Sequence, residues 1–154
     1  MNKRRKRQRG GSALEMALLL PWYFFLFVGT FDWGFYAHAL ISTEAAARTA
    51  VLYTSQSTAT ASDQTDACVL ANEEMRIVPN ISNTDATTCN ASPLVVTATE
   101  IGPGQTITAT PDGLPASQVT VTYTTLSLIP IPFVLTNKAS FYRVAVMRLR
   151  CPTC

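Results

Sequence analysis

Histidine is nearly absent from this 154-residue chain: His38 is the only one. No Gly-rich phosphate loop, no four-ligand metal spacing and no Ser/His/Asp set can be read beside it. The sequence therefore offers no catalytic constellation, and neither an enzymatic activity nor a cofactor nor a metal is expected. Acid is absent from the first nine residues, which carry six bases (Lys3, Arg4, Arg5, Lys6, Arg7 and Arg9). Charge of either sign is absent from Met16 to Phe31, a stretch with four phenylalanines and Trp22 and Tyr23 beside them. Absent too, from Met16 to Val28, is the polar stripe that a core helix of a soluble protein keeps.

What is present fits those gaps. The uncharged run falls slightly short of the ~20 residues of a spanning helix. Ser12 to Leu14 and Trp33 to Ala37 extend it, at the cost of including Glu15 and Asp32. A basic block immediately before such a run obeys the positive-inside rule, and lipid is the expected solvent of the run. A disordered tail or a nucleic-acid arm is the bland reading of the block. Of the 12 bases six lie before residue 10, so the rest of the chain sets six bases against ten acids, a formal −4. A mildly acidic body lacks the basic face that nucleic-acid binding needs, and no nucleic-acid partner is expected. Roughly 100 residues remain beyond the apolar run, enough for one modest core.

Acid so close to lipid is expensive and usually functional. Glu15 is the fifth residue after Gly10, and the pattern of Gly, four residues and Glu at the head of an apolar helix resembles the prepilin signal cut by prepilin peptidases. The wider pattern joins Arg9, Gly10, Glu15, Ala17 and Pro21 to about ten apolar residues and then Asp32 and Gly34. It resembles the N-terminal signature of the TadE/TadF-like minor pilins (pseudopilins) of the tight-adherence, or Flp, pilus system. Met16 departs from it, standing where the family often has an aromatic residue. The resemblance implies cleavage between Gly10 and Gly11, a new amino group on Gly11, and a Glu15 that offsets the N-terminal charge of a neighbouring subunit. It also implies a prepilin peptidase and other pilins and assembly proteins as partners. Pro21 removes an i to i−4 hydrogen bond and is placed to kink the helix. A rival cut lies at Ala37-His38-Ala39, an A-x-A pattern suited to signal peptidase I, with Asp32, Trp33, Phe35 and Tyr36 between it and the apolar core. His38 itself, with no partner in motif spacing, is assigned no chemistry.

The helix is expected to run on past the apolar segment. Ala39 to Leu52 is rich in helix formers, and Glu44 and Arg48 stand at i, i+4. Ala39, Ile41, Ala45, Val51 and Leu52 are taken as its apolar face. One helix from Ser12 to Tyr53 would be about 60 Å long. A Thr/Ser/Ala linker follows over Thr54 to Ala61, then a second helix over Asp63 to Ile77, capped by Ser62 or Asp63, with Ala67, Leu70, Ala71, Glu74 and Ile77 at helical spacing. Asp63, Asp66, Glu73 and Glu74 read as its solvated face. After a polar loop over 80–92, strands are expected at Leu94–Thr99, Gln105–Thr110, Gln118–Leu128 and Ala139–Leu149. Gly102-Pro103-Gly104 and Pro111-Asp112-Gly113 turn between them, and the Ile129–Phe133 stretch, with two prolines, is an apolar loop. The fold class is α+β: a long transmembrane helix extending into a small domain with a second helix and a three- or four-stranded, mostly antiparallel sheet, the lollipop layout of pilins. The divisions are 1–10 as a basic leader, 11–53 as the membrane and assembly helix, and 54–154 as the extracytoplasmic domain.

Four cysteines allow three pairings. Cys68 with Cys89 and Cys151 with Cys154 is the favoured set, in an oxidising compartment. Against it stand a redox pair, which usually occupies a helix N-terminus, and a zinc site, which needs four ligands. Asn80-Ile81-Ser82 and Asn90-Ala91-Ser92 match glycosylation sequons by chance. The expected protein is a non-catalytic minor pilin of the bacterial inner membrane, single-pass, with a cytoplasmic N-terminus and contacts to membrane lipid. The alternatives are a signal-anchored envelope protein whose domain binds a ligand or partner, and a secreted disulfide-containing domain, redox or metal-binding in one version.

Overall fold

A computed structural model describes residues 9–81, 89–102, 113–126 and 138–151. It contains two helices, α1 (Arg9–Thr54) and α2 (Gln64–Glu74), and four strands, β1 (Asn90–Ala91), β2 (Leu94–Ile101), β3 (Ala116–Thr124) and β4 (Ser140–Arg148). By internal contacts the chain divides after Ala37, so that α1 contributes to two units. In the first, the helix carries its apolar side chains outward on every face, with Pro21 inside it.

The second unit begins at His38 and is α+β. Its sheet is antiparallel throughout, in the order β1-β2-β3-β4. Alternation buries one face: Leu94, Val96 and Ala98 of β2 and Val119, Val121 and Tyr123 of β3 point inward, while Thr97, Thr99, Thr120 and Thr122 point out. The C-terminal turns of α1, α2 and the turn that follows α2 supply the rest of the core through Ala46, Ala47, Ala50, Val51, Ala67, Ala71 and Met75.

The helix face differs from the expected one. Ile41 is 69% exposed and Leu52 46%. The buried positions are Ala39, Thr43, Ala46, Ala47, Ala50, Val51 and Thr54, spaced by three and four residues on one side of a 3.6-residue helix. The two buried threonines tolerate that side because Thr43 Oγ1 donates to the Ala39 carbonyl at 2.7 Å and Thr54 Oγ1 to that of Val51 at 3.3 Å.

α2 starts as expected, with the Asp63 carboxylate accepting from the amides of Thr65 and Asp66 at 3.1 and 3.2 Å. It stops at Glu74 rather than at Ile77. Pro79 disfavours a helical Val78, and the chain unwinds into turns that bury Met75 and Val78 and leave Ile77 82% exposed. The Thr54–Ala61 stretch is not a loose linker but a bonded turn. The Ser117 hydroxyl lies 2.7 Å from Thr54 Oγ1 and 3.0 Å from the Ala61 carbonyl, and the Arg150 amide donates to Ser55 at 2.8 Å. β2 runs on to Ile101, β3 begins at Ala116, and the two-residue β1 occupies the end of what reads as a polar loop. The expected strand Gln105–Thr110 and the loop Ile129–Phe133 lie outside the described residues.

Candidate processing and assembly segment

The residues with motif spacing lie along α1. Gly10 and Gly11 fall in its opening turns, and a side-chain atom added to Gly11 would meet nothing within 4 Å. Glu15 is exposed and sits one helical turn beyond Gly11, on the same face. Pro21 lies mid-run and exposed. Asp32 follows it by three turns and so shares its side of the helix. Gly34 is open, and a Cβ there would likewise meet nothing within 4 Å. The helix thus sets Gly11 and Glu15 one turn apart on one face and aligns Pro21 and Asp32, three turns apart, on another.

Asp32 is the exception among exposed neighbours. It is only 2% exposed, and among the described residues its Oδ1 has no hydrogen-bond partner. The sequence pattern marks Asp32 but gives no sign of its burial.

Thirteen large apolar side chains between Leu14 and Trp33 are exposed. At roughly 1.5–3 kcal/mol for each one left in water, the total is of order 20–40 kcal/mol. That free energy is gained only when lipid or other helices cover this stretch. α1 is the one element among the described residues that is long and apolar enough to cross a membrane.

The cysteine pattern resolves partly. Cys68 on α2 is bonded to Cys89, just before β1, with Cα atoms 5.6 Å apart and both residues buried. Cys151 is disulfide-bonded as well; its expected partner Cys154 lies outside the described residues. Among the described residues no three His, Cys, Asp or Glu side chains gather as a metal site. Two ties between elements have no sequence signal, since they join positions far apart in the chain. The Tyr53 hydroxyl donates to the Asp66 carboxylate, which raises the phenol's pKa chiefly through that hydrogen bond. The Tyr123 hydroxyl donates to the Pro79 carbonyl at 2.7 Å, and burial raises its pKa.

Comparison with known proteins bears on this same helix. Residues 10–52 match the family model described as TadE-like protein. No curated protein and no solved structure matches the chain.

Proposed function

We propose that the chain is a non-catalytic minor pilin, or pseudopilin, that takes part in building a Flp-type pilus, a reading supported by the match of residues 10–52 to the TadE-like family model. The observation that carries this reading is the apolar helix with thirteen exposed large apolar side chains from Leu14 to Trp33, headed by Gly11 and Glu15 one turn apart. A prepilin peptidase cuts after Gly10, removing the basic leader 1–10 and leaving the Gly11 amino group on the helix that runs through residue 53. Before cleavage, that leader holds the N-terminus in the cytoplasm and the helix anchors the chain in the inner membrane, with residues 54–154 outside.

After cleavage the helix is drawn into contact with other pilin helices, which replace lipid around its aromatic side chains. Within that apolar bundle a carboxylate and an ammonium group are each costly alone and much less so together. Glu15 therefore pairs with the Gly11 amino group of an adjacent subunit and sets the register. The domain presents the surface by which other assembly proteins are recognised. Glu15→Ala tests the reading. The variant is expected to insert in the membrane at the normal level and to fail in pilus assembly, scored by shed filaments and electron microscopy. Normal piliation with Glu15→Ala would remove Glu15 from this mechanism.

A further inference from the structure

In its first unit α1 turns almost every side chain outward, and one face is the exception. Between Gly11 and Ala37 the residues that are not exposed are Val28, Gly29, Asp32, Phe35 and Tyr36. Their spacing puts them on one side of the helix, with Asp32 at the centre. Asp32 is also the most enclosed of them, 2% exposed and with no hydrogen-bond partner at Oδ1. The Thr30 hydroxyl, two residues back, is engaged by the Leu26 carbonyl at 2.8 Å. Gly29, three residues before Asp32, has open space beside it, and a Cβ there would meet nothing within 4 Å. A glycine in a membrane helix is where another helix backbone approaches closely.

Asp32 directly follows the uncharged run. A carboxylate oxygen buried there without a donor has given up its hydration and received nothing in exchange. A cation brought to it removes much of that cost.

The chain itself holds no suitable cation at this level. Between Arg9 and Arg48 it has no Lys or Arg. In a second copy lying alongside, the Gly11 end of the helix is 21 residues from Asp32, about 32 Å along the axis. Arg48 is 16 residues away in the other direction. His38 is the nearest base, but six residues on it points to a different side of the helix. We propose that Asp32 is the docking point for a transmembrane helix of a different protein, which pairs a Lys or Arg with the Asp32 carboxylate and packs closest at Gly29. A Lys or Arg reaches this level by laying its aliphatic stem along apolar helix surface. The pairing rests on α1 lying in a membrane, and it depends neither on Glu15 nor on a pilus.

The test uses the full chain in phosphatidylcholine vesicles and Leu/Ala-rich transmembrane peptides that carry a dansyl label. The peptides differ only at the position level with Asp32, which is Lys, Leu or Glu. Association is read as energy transfer to dansyl from Trp22 and Trp33, the two tryptophans of the chain. The Lys peptide is expected to associate about three- to twentyfold more tightly than the Leu peptide. Asp32→Asn keeps the size and removes the charge, and should bring the Lys peptide down to the Leu level. Asp32→Lys should transfer the preference to the Glu peptide. Resistance to alkaline extraction checks that each chain is inserted. A wild-type chain that washes off refutes the membrane reading and the pairing together. An inserted chain that binds the Lys and Leu peptides equally, or a Lys preference that survives Asp32→Asn, overturns the pairing alone. Self-association that His38→Ala abolishes would instead assign the carboxylate to a second copy. Loss of the Lys preference when phosphatidylethanolamine replaces part of the lipid would assign it to a headgroup amine.

Discussion

Tyr123, one residue from the C-terminal end of β3 on the buried sheet face, donates its hydroxyl to the carbonyl of Pro79, so that a single 2.7 Å hydrogen bond ties β3 to the turns that follow α2. The ring is fully buried. Tyr123→Phe keeps the ring and deletes the bond, leaving the Pro79 carbonyl without this donor. The expected loss is about 1 kcal/mol of stability, measured by urea denaturation of wild type and variant.

The same phenol makes stability fall at high pH. Burial raises its pKa in the folded protein above the ordinary 10.0. In the unfolded chain the phenol gives up its proton first. Its contribution is thus complete below pH 10 and is lost as pH rises from there through the folded value. The Tyr53 hydroxyl, raised by its bond to Asp66, acts in the same direction. Denaturation midpoints measured from neutral pH into this alkaline window should fall for wild type and fall less steeply for Tyr123→Phe.

The Cys68–Cys89 bond joins residues 21 apart, one on α2 and one before β1. Closing a loop of this size constrains the unfolded chain by about 3 kcal/mol. A Cys68→Ala/Cys89→Ala double variant is expected to lose roughly that amount, read as a lower urea midpoint than oxidised wild type. Equal midpoints would mean that the α2 packing alone holds this corner.

Two substitutions on α1 discriminate its faces. Ala50 is fully buried in the core, and Ala50→Leu should cost about 1–3 kcal/mol by overpacking. Ile41 is mostly exposed, and Ile41→Ala should change domain stability by less than about 0.5 kcal/mol. Ranking by hydrophobicity gives the opposite order, so thermal melts of the pair decide which face packs.

That reversal shows what can be read from the residues and what cannot. The apolar run, the Asp63 cap, the Cys68–Cys89 pair and the alternation at Val119, Val121 and Tyr123 are local patterns, and each lies where its pattern places it. The inward face of α1 carries Ala46 and Ala50 and leaves the larger Ile41 outside, a choice made by tertiary packing. Local propensity carries no trace of that packing. α2 ends short of its helical spacing because Met75 and Val78 gain burial only after the helix unwinds before Pro79. The bonds from Ser117 to the 54–61 turn and from Tyr123 to Pro79 depend on tertiary contact between distant segments. Along the N-terminal helix, the spacing of Gly11, Glu15, Pro21 and Asp32 is legible because a helix maps sequence distance directly onto faces. The burial of Asp32 is not.

The measurement that goes most directly to the pilin reading is the N-terminus of the protein as it exists in cells, by intact mass and terminal peptide sequencing. A chain beginning at Gly11 is the expected result and means prepilin processing. A chain beginning at Leu40, or one that keeps its basic leader, would contradict it.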